Sequence, residues 1–248
     1  MKVFVILPAA GTGTRMALGS GKPNGTGSAP TPKQFLYLCG VPVLVHCLRA
    51  FVSVGRVEAV YVAVRASEIE RVTFLVAEYG LQDKVRVVEG GEKRQHSVGN
   101  ALTQLVGEGG CVEDDIVLVH DAARPLIDAA TIDRTIDAVV EHGAAIVGLP
   151  AVDTIKQVER TAHGAIITAT VPRERIVQAQ TPQGARCALL KRAFAEAEAD
   201  EFSGTDEASL LERAGIPVAV VPGSPRNFKI TQPGDLELAE FYLAQGKA

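Results

Sequence analysis

None of the four cysteines, Cys39, Cys47, Cys111 and Cys187, stands in a C-x-x-C pair. Zinc-ribbon and thioredoxin-like readings therefore fail, and buried or idle thiols in a reducing compartment are the simplest account. Positive charge is not in excess either. The formal net charge is −4, so no broad basic field draws nucleic acid, and any charge that meets an anionic ligand must be local. No apolar run approaches a membrane span. The opening run Val3–Leu7 is too short for a signal-peptide core and leads into glycine and arginine rather than a cleavage site. With 47% hydrophobic and 22% charged residues in 248, the chain has an ordinary globular mix and can bury a sizeable core without staples. The expectation is a cytoplasmic enzyme with neither membrane nor nucleic acid as partner.

Short apolar runs alternate with helical patterns. Val3–Leu7, Val57–Val64, Val85–Val88, Ile116–His120 and Ala144–Leu149 read as strands. Between them, Val43–Val54 puts Leu44, Cys47, Leu48, Phe51 and Val52 on one helical face, Ser67-Glu68-Ile69-Glu70 reads as a capping box, and a helix is expected near Thr131–His142. This rhythm predicts an α/β fold: a mostly parallel twisted sheet with helices on both faces. It breaks at Pro150. From Ala151 to about Gln180, β-branched and polar residues alternate around a turn at Gly164, which predicts an extended β-arm. Such an arm cannot bury itself, so a two-fold homodimer is expected. Residues 1–150 and 181–248 then form one domain, with helices near Ala185–Ala199 and from Pro233, and strands near Val218–Val221 and at Phe228–Ile230. The segment Ala17–Thr31 holds four glycines, two prolines and two serines, and is expected to be mobile without a ligand.

The first strand runs into Pro8-Ala9-Ala10-Gly11-Thr12-Gly13-Thr14-Arg15-Met16. Small residues after a strand let backbone N–H groups approach a phosphate. Met16 occupies the place of the last glycine of a dinucleotide fingerprint, and Pro23 follows Lys22 where a P-loop needs Ser or Thr. An anion site and a plain tight turn both remain open. Arg15, and Lys33 across the glycine-rich segment, are placed to close on an anion; as surface charges they would need no ligand. The fourth strand ends in His120-Asp121-Ala122-Ala123-Arg124-Pro125. At the carboxyl end of such a strand, an aspartate suits a divalent ion or a ligand hydroxyl, or simply caps the turn. Gly90-Gly91-Glu92 lies on the same sheet edge.

Taken in order, these motifs carry a resemblance. Leu7-Pro8-Ala9-Ala10-Gly11-x-Gly13-x-Arg15-Met16 with Pro32-Lys33-Gln34 resembles the start of sugar nucleotidyltransferases. His120–Pro125, Asp153-Thr154-x-Lys156, Gln180-Thr181-Pro182-Gln183, Thr205-Asp206-Glu207-Ala208-Ser209 and Asn227–Thr231 narrow it to the 2-C-methyl-D-erythritol 4-phosphate cytidylyltransferase family. The resemblance implies a Rossmann-like fold of the nucleotide-diphospho-sugar transferase type and transfer of CMP from CTP to methylerythritol phosphate. It implies that Pro8, Ala9, Ala10, Gly11, Gly13 and Arg15 cradle the triphosphate, with Arg15 and Lys33 stabilising the transition state. It places Gly91, Glu92 and Ser97 at the cytosine and ribose. Asp121, Arg124, Thr154, Thr181, Thr205 and Lys229 would line the acceptor pocket, and Arg173 would reach the neighbouring subunit's site. The glycine-rich segment is longer than usual for the family, and Glu92 stands where aspartate is common.

The chemistry implied needs few groups. A phosphate monoester with a second pKa of about 6 is already mostly ionised at neutral pH, so it attacks without a general base. The requirement is to bring two polyanions together and neutralise phosphoryl oxygens. Arg15, Lys33, Arg173, Lys229 and a Mg²⁺ carried mainly on the triphosphate, with help from Asp121, would meet it. A ribitol-5-phosphate or sugar-phosphate nucleotidyltransferase would share this chemistry and differ in acceptor contacts. A non-catalytic nucleotide-binding regulator would explain the glycine loop but not the basic residues spread through the later motifs.

Overall fold

The computed structural model describes residues 1–11, 31–162 and 164–246. The segment 17–31 therefore falls almost wholly outside the described residues, as do Gly13 and Arg15. In chain order the strands are β1 (Val3–Pro8), β2 (Tyr37–Leu38), β3 (Val41–Pro42), β4 (Val57–Val64), β5 (Val85–Glu89), β6 (Ile116–Val119), β7 (Ala144–Pro150), β8 (Ile155–Thr161), β9 (Gly164–Val171), β10 (Val177–Arg186) and β11 (Ala219–Pro222). The helices are α1 (Val43–Val52), α2 (Ile69–Glu78), α3 (Arg94–Gly107), α4 (Ala129–His142), α5 (Cys187–Ala199), α6 (Glu207–Arg213) and α7 (Pro233–Ala244).

Alternation along β1 explains the layering. Val3, Val5 and Leu7 point to one face, where they meet Leu44, Leu48 and Phe51 of α1, Val72 and Val76 of α2, and Ile132, Ile136 and Val139 of α4. Phe4 and Ile6 point to the other, against Val98, Ala101 and Leu105 of α3, Leu190 and Ala193 of α5, and Leu210 and Leu211 of α6. A strand covered on both faces is apolar throughout, which is why β1 and β6 read as unbroken hydrophobic runs. Each such side chain contributes about 1.5–3 kcal/mol on full burial.

The main sheet has seven strands in the order β11-β7-β10-β6-β1-β4-β5. β1 pairs in parallel with β4 on one side and β6 on the other; β4 with β5 and β7 with β11 are also parallel, and β10 alone runs antiparallel, between β6 and β7. The chain winds outward from β1 through β4 to β5, then returns to add β6 on the opposite side. That reversal opens a crevice beyond the carboxyl ends of β1 and β6, where open α/β sheets bind ligands.

Two local expectations are corrected. Ser67 does not cap α2: residues 66–68 form a 3-10 turn, Glu68 takes the N-cap position without a side-chain bond, and the helix starts at Ile69. Capping boxes form instead at Asp206 with Ser209 and at Gln232 with Asp235. Phe228–Ile230 forms no strand; its backbone is held by a bond from Ile230 N–H to the Ala123 carbonyl.

β8 and β9 pair only with each other, and both are exposed along almost their whole length. Val158, Ile166 and Ile167 are 45%, 63% and 60% exposed. This hairpin lies within the 151–180 segment, and β10 re-enters the main sheet from Val177, opposite Pro150.

Close packing between β10 and β6 fixes the strand that carries Thr181. A Cβ at Gly184 would sit 2.6 Å from the Val117 carbonyl oxygen and 2.5 Å from a Leu118 methyl. We therefore expect Gly184→Ala to cost about 1–3 kcal/mol of stability, read as a lower urea midpoint at unchanged slope. An unchanged midpoint would mean that the two strands separate freely.

Candidate active site

The crevice holds a cleft of about 280 Å³ lined by Pro8, Ala9, Ala10 and Gly11 after β1, Lys33 and Gln34, residues 91–94 and Ser97 at the start of α3, residues 121–123 after β6, and Lys229. Gln34 Nε2 donates to the carbonyls of Ala9 (2.6 Å) and Gly11 (3.3 Å), clamping the β1 loop to the 33–35 turn. Across the cleft, the Ser97 hydroxyl bonds Gly91 N–H at 3.1 Å and lies 3.1 Å from the carbonyls of Gly91 and Lys93. A Cβ on Gly91 would overlap the His96 side chain, so this loop can lie flat on α3 only without one.

The charged wall is built around Asp121, which is 8% exposed. Arg94 Nε donates to its Oδ1 at 3.1 Å and Lys229 Nζ to its Oδ2 at 2.8 Å, while Arg124 Nε stands 3.6 Å from Oδ2. Burial alone would raise this carboxyl; Arg94, Lys229 and Arg124 outweigh it and hold the group well below the usual carboxylate range. The other end of Arg94 forks onto Glu207, Nη1 to Oε1 at 2.7 Å and Nη2 to Oε2 at 2.8 Å. Burial pushes the Glu207 carboxyl upward and the guanidinium opposes it. Among the residues lining the cleft, Lys33, Lys93, Arg94 and Lys229 outnumber Glu92 and Asp121, and Lys33 is held there by a bond to the Ile230 carbonyl at 3.2 Å. The wall suits an anion of high charge.

Beneath Asp121 runs a closed hydrogen-bond chain. Its N–H donates to Thr181 Oγ1 at 3.1 Å, the Thr181 hydroxyl lies 3.0 Å from His120 Nδ1, and His120 Nε2 lies 3.0 Å from the Arg124 carbonyl. Since Nε2 faces a carbonyl, it carries the proton, and Nδ1 accepts from the threonine. Both side chains are buried, at 4% for Thr181 and 0% for His120. The pair thus holds the 120–124 turn and is no exposed nucleophile with its base. Arg124 Nη1 donates to the Asn227 carbonyl at 2.7 Å and Asn227 Nδ2 to the Thr181 carbonyl at 2.7 Å, which ties the segment carrying Lys229 to β10.

Of the residues expected from sequence, Pro8–Gly11, Lys33, Gly91, Glu92, Ser97, Asp121 and Lys229 converge on the cleft. Arg124 and Thr181 lie just behind it. Thr205 is exposed before α6, and Thr154 and Arg173 are exposed on the arm, where Arg173 Nη1 donates to the Val152 carbonyl at 2.7 Å. Sequence reasoning missed Gln34, Arg94 and Glu207. Arg94 follows the Gly90–Glu92 motif and Glu207 sits inside the Thr205–Ser209 motif, but they are 113 positions apart, and local spacing gives no sign of the pairing. Among the described residues, no three His, Cys, Asp or Glu side chains group as metal ligands, and no helix is long and apolar enough to cross a membrane.

A phosphate-seeking cleft at the switch point of a mostly parallel sheet, with no accessible nucleophile beside a base among the described residues, points to a nucleotidyltransferase. Comparison with known proteins makes this specific. The pattern of the 2-C-methyl-D-erythritol 4-phosphate cytidylyltransferase (IspD) family matches residues 3–245, and the chain belongs to that family. A protein of that name from Acidobacterium capsulatum is 70% identical over 99% of this chain and 98% of its own length. One from Solibacter usitatus is 50% identical over 100% and 98%. Among solved structures, the Thermus thermophilus enzyme of that name aligns with a TM-score of 0.73 at 34% identity, covering 99% of this chain and 100% of that one. The chain is accordingly a cytidylyltransferase.

His120 gives this site a pH signature. Burial pushes its imidazole from the ordinary 6.5 down to about 4, against the Arg124 carbonyl bond and the Asp121 charge. The unfolded chain therefore takes up a proton between those values that the folded chain refuses, so the contribution is complete above pH 6.5 and fades as pH falls toward 4. We expect wild type to lose about 2 kcal/mol more than His120→Gln between pH 7 and pH 5, measured by urea unfolding. A gap that stays constant with pH would show that His120 does not carry this linkage.

Proposed function

We propose that the cleft transfers CMP from CTP to the phosphate of 2-C-methyl-D-erythritol 4-phosphate, releasing pyrophosphate and 4-diphosphocytidyl-2-C-methyl-D-erythritol, in the non-mevalonate route to isoprenoid precursors. The observation that carries this reading is the convergence of Pro8–Gly11, Lys33, Gly91–Ser97, Asp121 and Lys229, distant in sequence, around one cleft. The backbone of Pro8–Gly11 receives the triphosphate, with Gly13 and Arg15 assigned there on their motif alone. Gly91, Glu92 and Ser97 take the cytosine and ribose. Asp121 accepts from an acceptor hydroxyl, with Arg124, Thr181 and Thr205 supporting that pocket, and Lys229 holds the acceptor phosphate against the α-phosphorus. An acceptor phosphate oxygen bonds to that phosphorus as the bond to the bridging oxygen breaks, and pyrophosphate leaves with the electron pair. Proximity and charge neutralisation suffice, because the nucleophile is ionised on arrival.

A Mg²⁺ fits this site as a passenger of the triphosphate, where it would neutralise phosphoryl charge. Asp121 offers it an oxygen only by yielding a bond to Lys229 or Arg94. The exposed hairpin, with Val158, Ile166 and Ile167 on its surface, supports a homodimer in which Arg173 reaches the partner's acceptor pocket, with Thr154 among the residues that line such a pocket. In that arrangement residues 1–150 and 181–248 are the catalytic domain and 151–180 the dimerisation arm. The enzyme works in the cytoplasm, where both substrates are metabolites. Offered CTP with methylerythritol phosphate, ribitol 5-phosphate and sugar 1-phosphates, the protein should release pyrophosphate fastest with the first; preference for another acceptor would overturn the reading.

Two variants test the roles. Lys33→Ala should lower kcat about 100-fold, the scale of one donor aimed at transition-state charge, with a smaller change in the KM for CTP. Weaker CTP binding at full kcat would make Lys33 a ground-state contact. Co-expression of Lys33→Ala with Arg173→Ala, each nearly inactive, tests the arm. Random pairing makes about half the dimers mixed, each with one intact site, so about a quarter of wild-type activity should return if Arg173 acts across the dimer. No recovery, with mixed dimers verified by mass, would place Arg173 in its own subunit's site.

A further inference from the structure

The acceptor pocket depends on a carboxylate that must face a substrate hydroxyl while cations crowd it. Asp121 could form a two-pronged pair with Arg94, the geometry a guanidinium prefers with a lone carboxylate. It does not: Arg94 gives Asp121 only Nε, because Nη1 and Nη2 are both held by Glu207. Oδ2 is thereby left to Lys229. Glu207 is itself firmly placed. It is 1% exposed, at the first position of α6, beside the capping box at Asp206. Gln183 of β10 docks that helix end, donating to Asp206 Oδ2 at 2.9 Å and accepting from Ala208 N–H at 2.9 Å. The two oxygens of Glu207 occupy the two prongs of Arg94 that would otherwise turn Asp121.

We propose that Glu207 is a positioning residue for the transfer reaction: by engaging both terminal nitrogens of Arg94, it limits Arg94 to a single bond with Asp121 and so aims Asp121 and Lys229 at the acceptor. The inference rests on the acceptor-pocket reading above and deepens it. Glu207 does not touch substrate. Its removal frees the Arg94 fork to close on both Asp121 oxygens, displacing Lys229 and rotating the carboxylate away from the acceptor. The CTP side, built from the Pro8–Gly11 and Gly91–Ser97 backbone, is untouched by that rotation. The defect therefore falls on the acceptor.

The test uses steady-state kinetics with CTP and methylerythritol phosphate for wild type, Glu207→Gln, Glu207→Asp and Arg94→Lys. Arg94→Lys keeps a cation beside Glu207, and so the folded protein, but a single ammonium cannot span both carboxylates in the same way. We expect Glu207→Gln and Arg94→Lys each to raise the KM for methylerythritol phosphate at least about tenfold and to lower kcat, with the KM for CTP within about twofold of wild type. Glu207→Asp, which keeps the charge one methylene shorter, should recover part of the loss. A purely structural role predicts lower thermal midpoints in all three variants with both KM values unchanged, or raised by one common factor; either result overturns the proposal. Wild type separates the two readings. If it fails to turn over methylerythritol phosphate, the acceptor assignment falls; if it turns over and the variants show no split between substrates, only the role of Glu207 falls.

Discussion

The site depends on one buried carboxylate surrounded by cations. Asp121 meets Arg94 at 3.1 Å and Lys229 at 2.8 Å, with Arg124 at 3.6 Å. Each cation arrives on a different segment: the first turn of α3, the turn after β6, and the stretch before α7. A charge so far from water is tolerated only when its partners are fixed in place, so the fold has to deliver all three at once. Loss of any of those segments would leave charge stranded, and the surrounding hydrogen bonds of Thr181, His120, Asn227 and Gln183 serve to fix the delivery.

The scaffold meets that demand through the sheet. β1 and β6 are covered on both faces and end at the same crevice, so the Pro8–Gly11 loop and the 120–124 turn are side by side whatever the ligand. β10 runs against them, bringing Thr181 to Asp121 and Gln183 to the start of α6. A smaller apolar cluster of Leu38, Val43, Leu126 and Ile230 holds the segment before α7 against the body, which sets where Lys229 emerges. Catalysis by positioning requires this rigidity, since the phosphate nucleophile needs no proton removed and the protein's contribution is geometry and charge.

The cations that hold Asp121 also explain why it makes a poor metal cage. Both of its oxygens are engaged and no second acidic side chain groups with it and a third ligand among the described residues. An ion brought in on a triphosphate fits such a wall better than one resident in it, because the phosphate oxygens supply most of the ligands. The net positive charge left after internal pairing is then available to the second anion, the acceptor phosphate.

Much of this was determined by the sequence alone. Apolar runs covered on both faces, β1 and β6 among them, announce a two-sided sheet, and the break at Pro150 announces the arm, because periodicity and composition are local properties. That Pro8–Gly11, Lys33, Gly91, Asp121 and Lys229 come to one edge of the sheet was also legible, since each sits in a short motif at the end of a strand or beside one. The capping box at Ser67 and the strand at 228–230 were misread for the same reason: a 3-10 turn and a single tertiary hydrogen bond override local preference. Tertiary structure alone decided the Arg94–Glu207 fork, which joins residues 113 positions apart, and the pairing of Asp121 with Lys229, 108 apart. An ion pair between two helix starts depends on how strands order in the sheet, and no window of sequence contains that information.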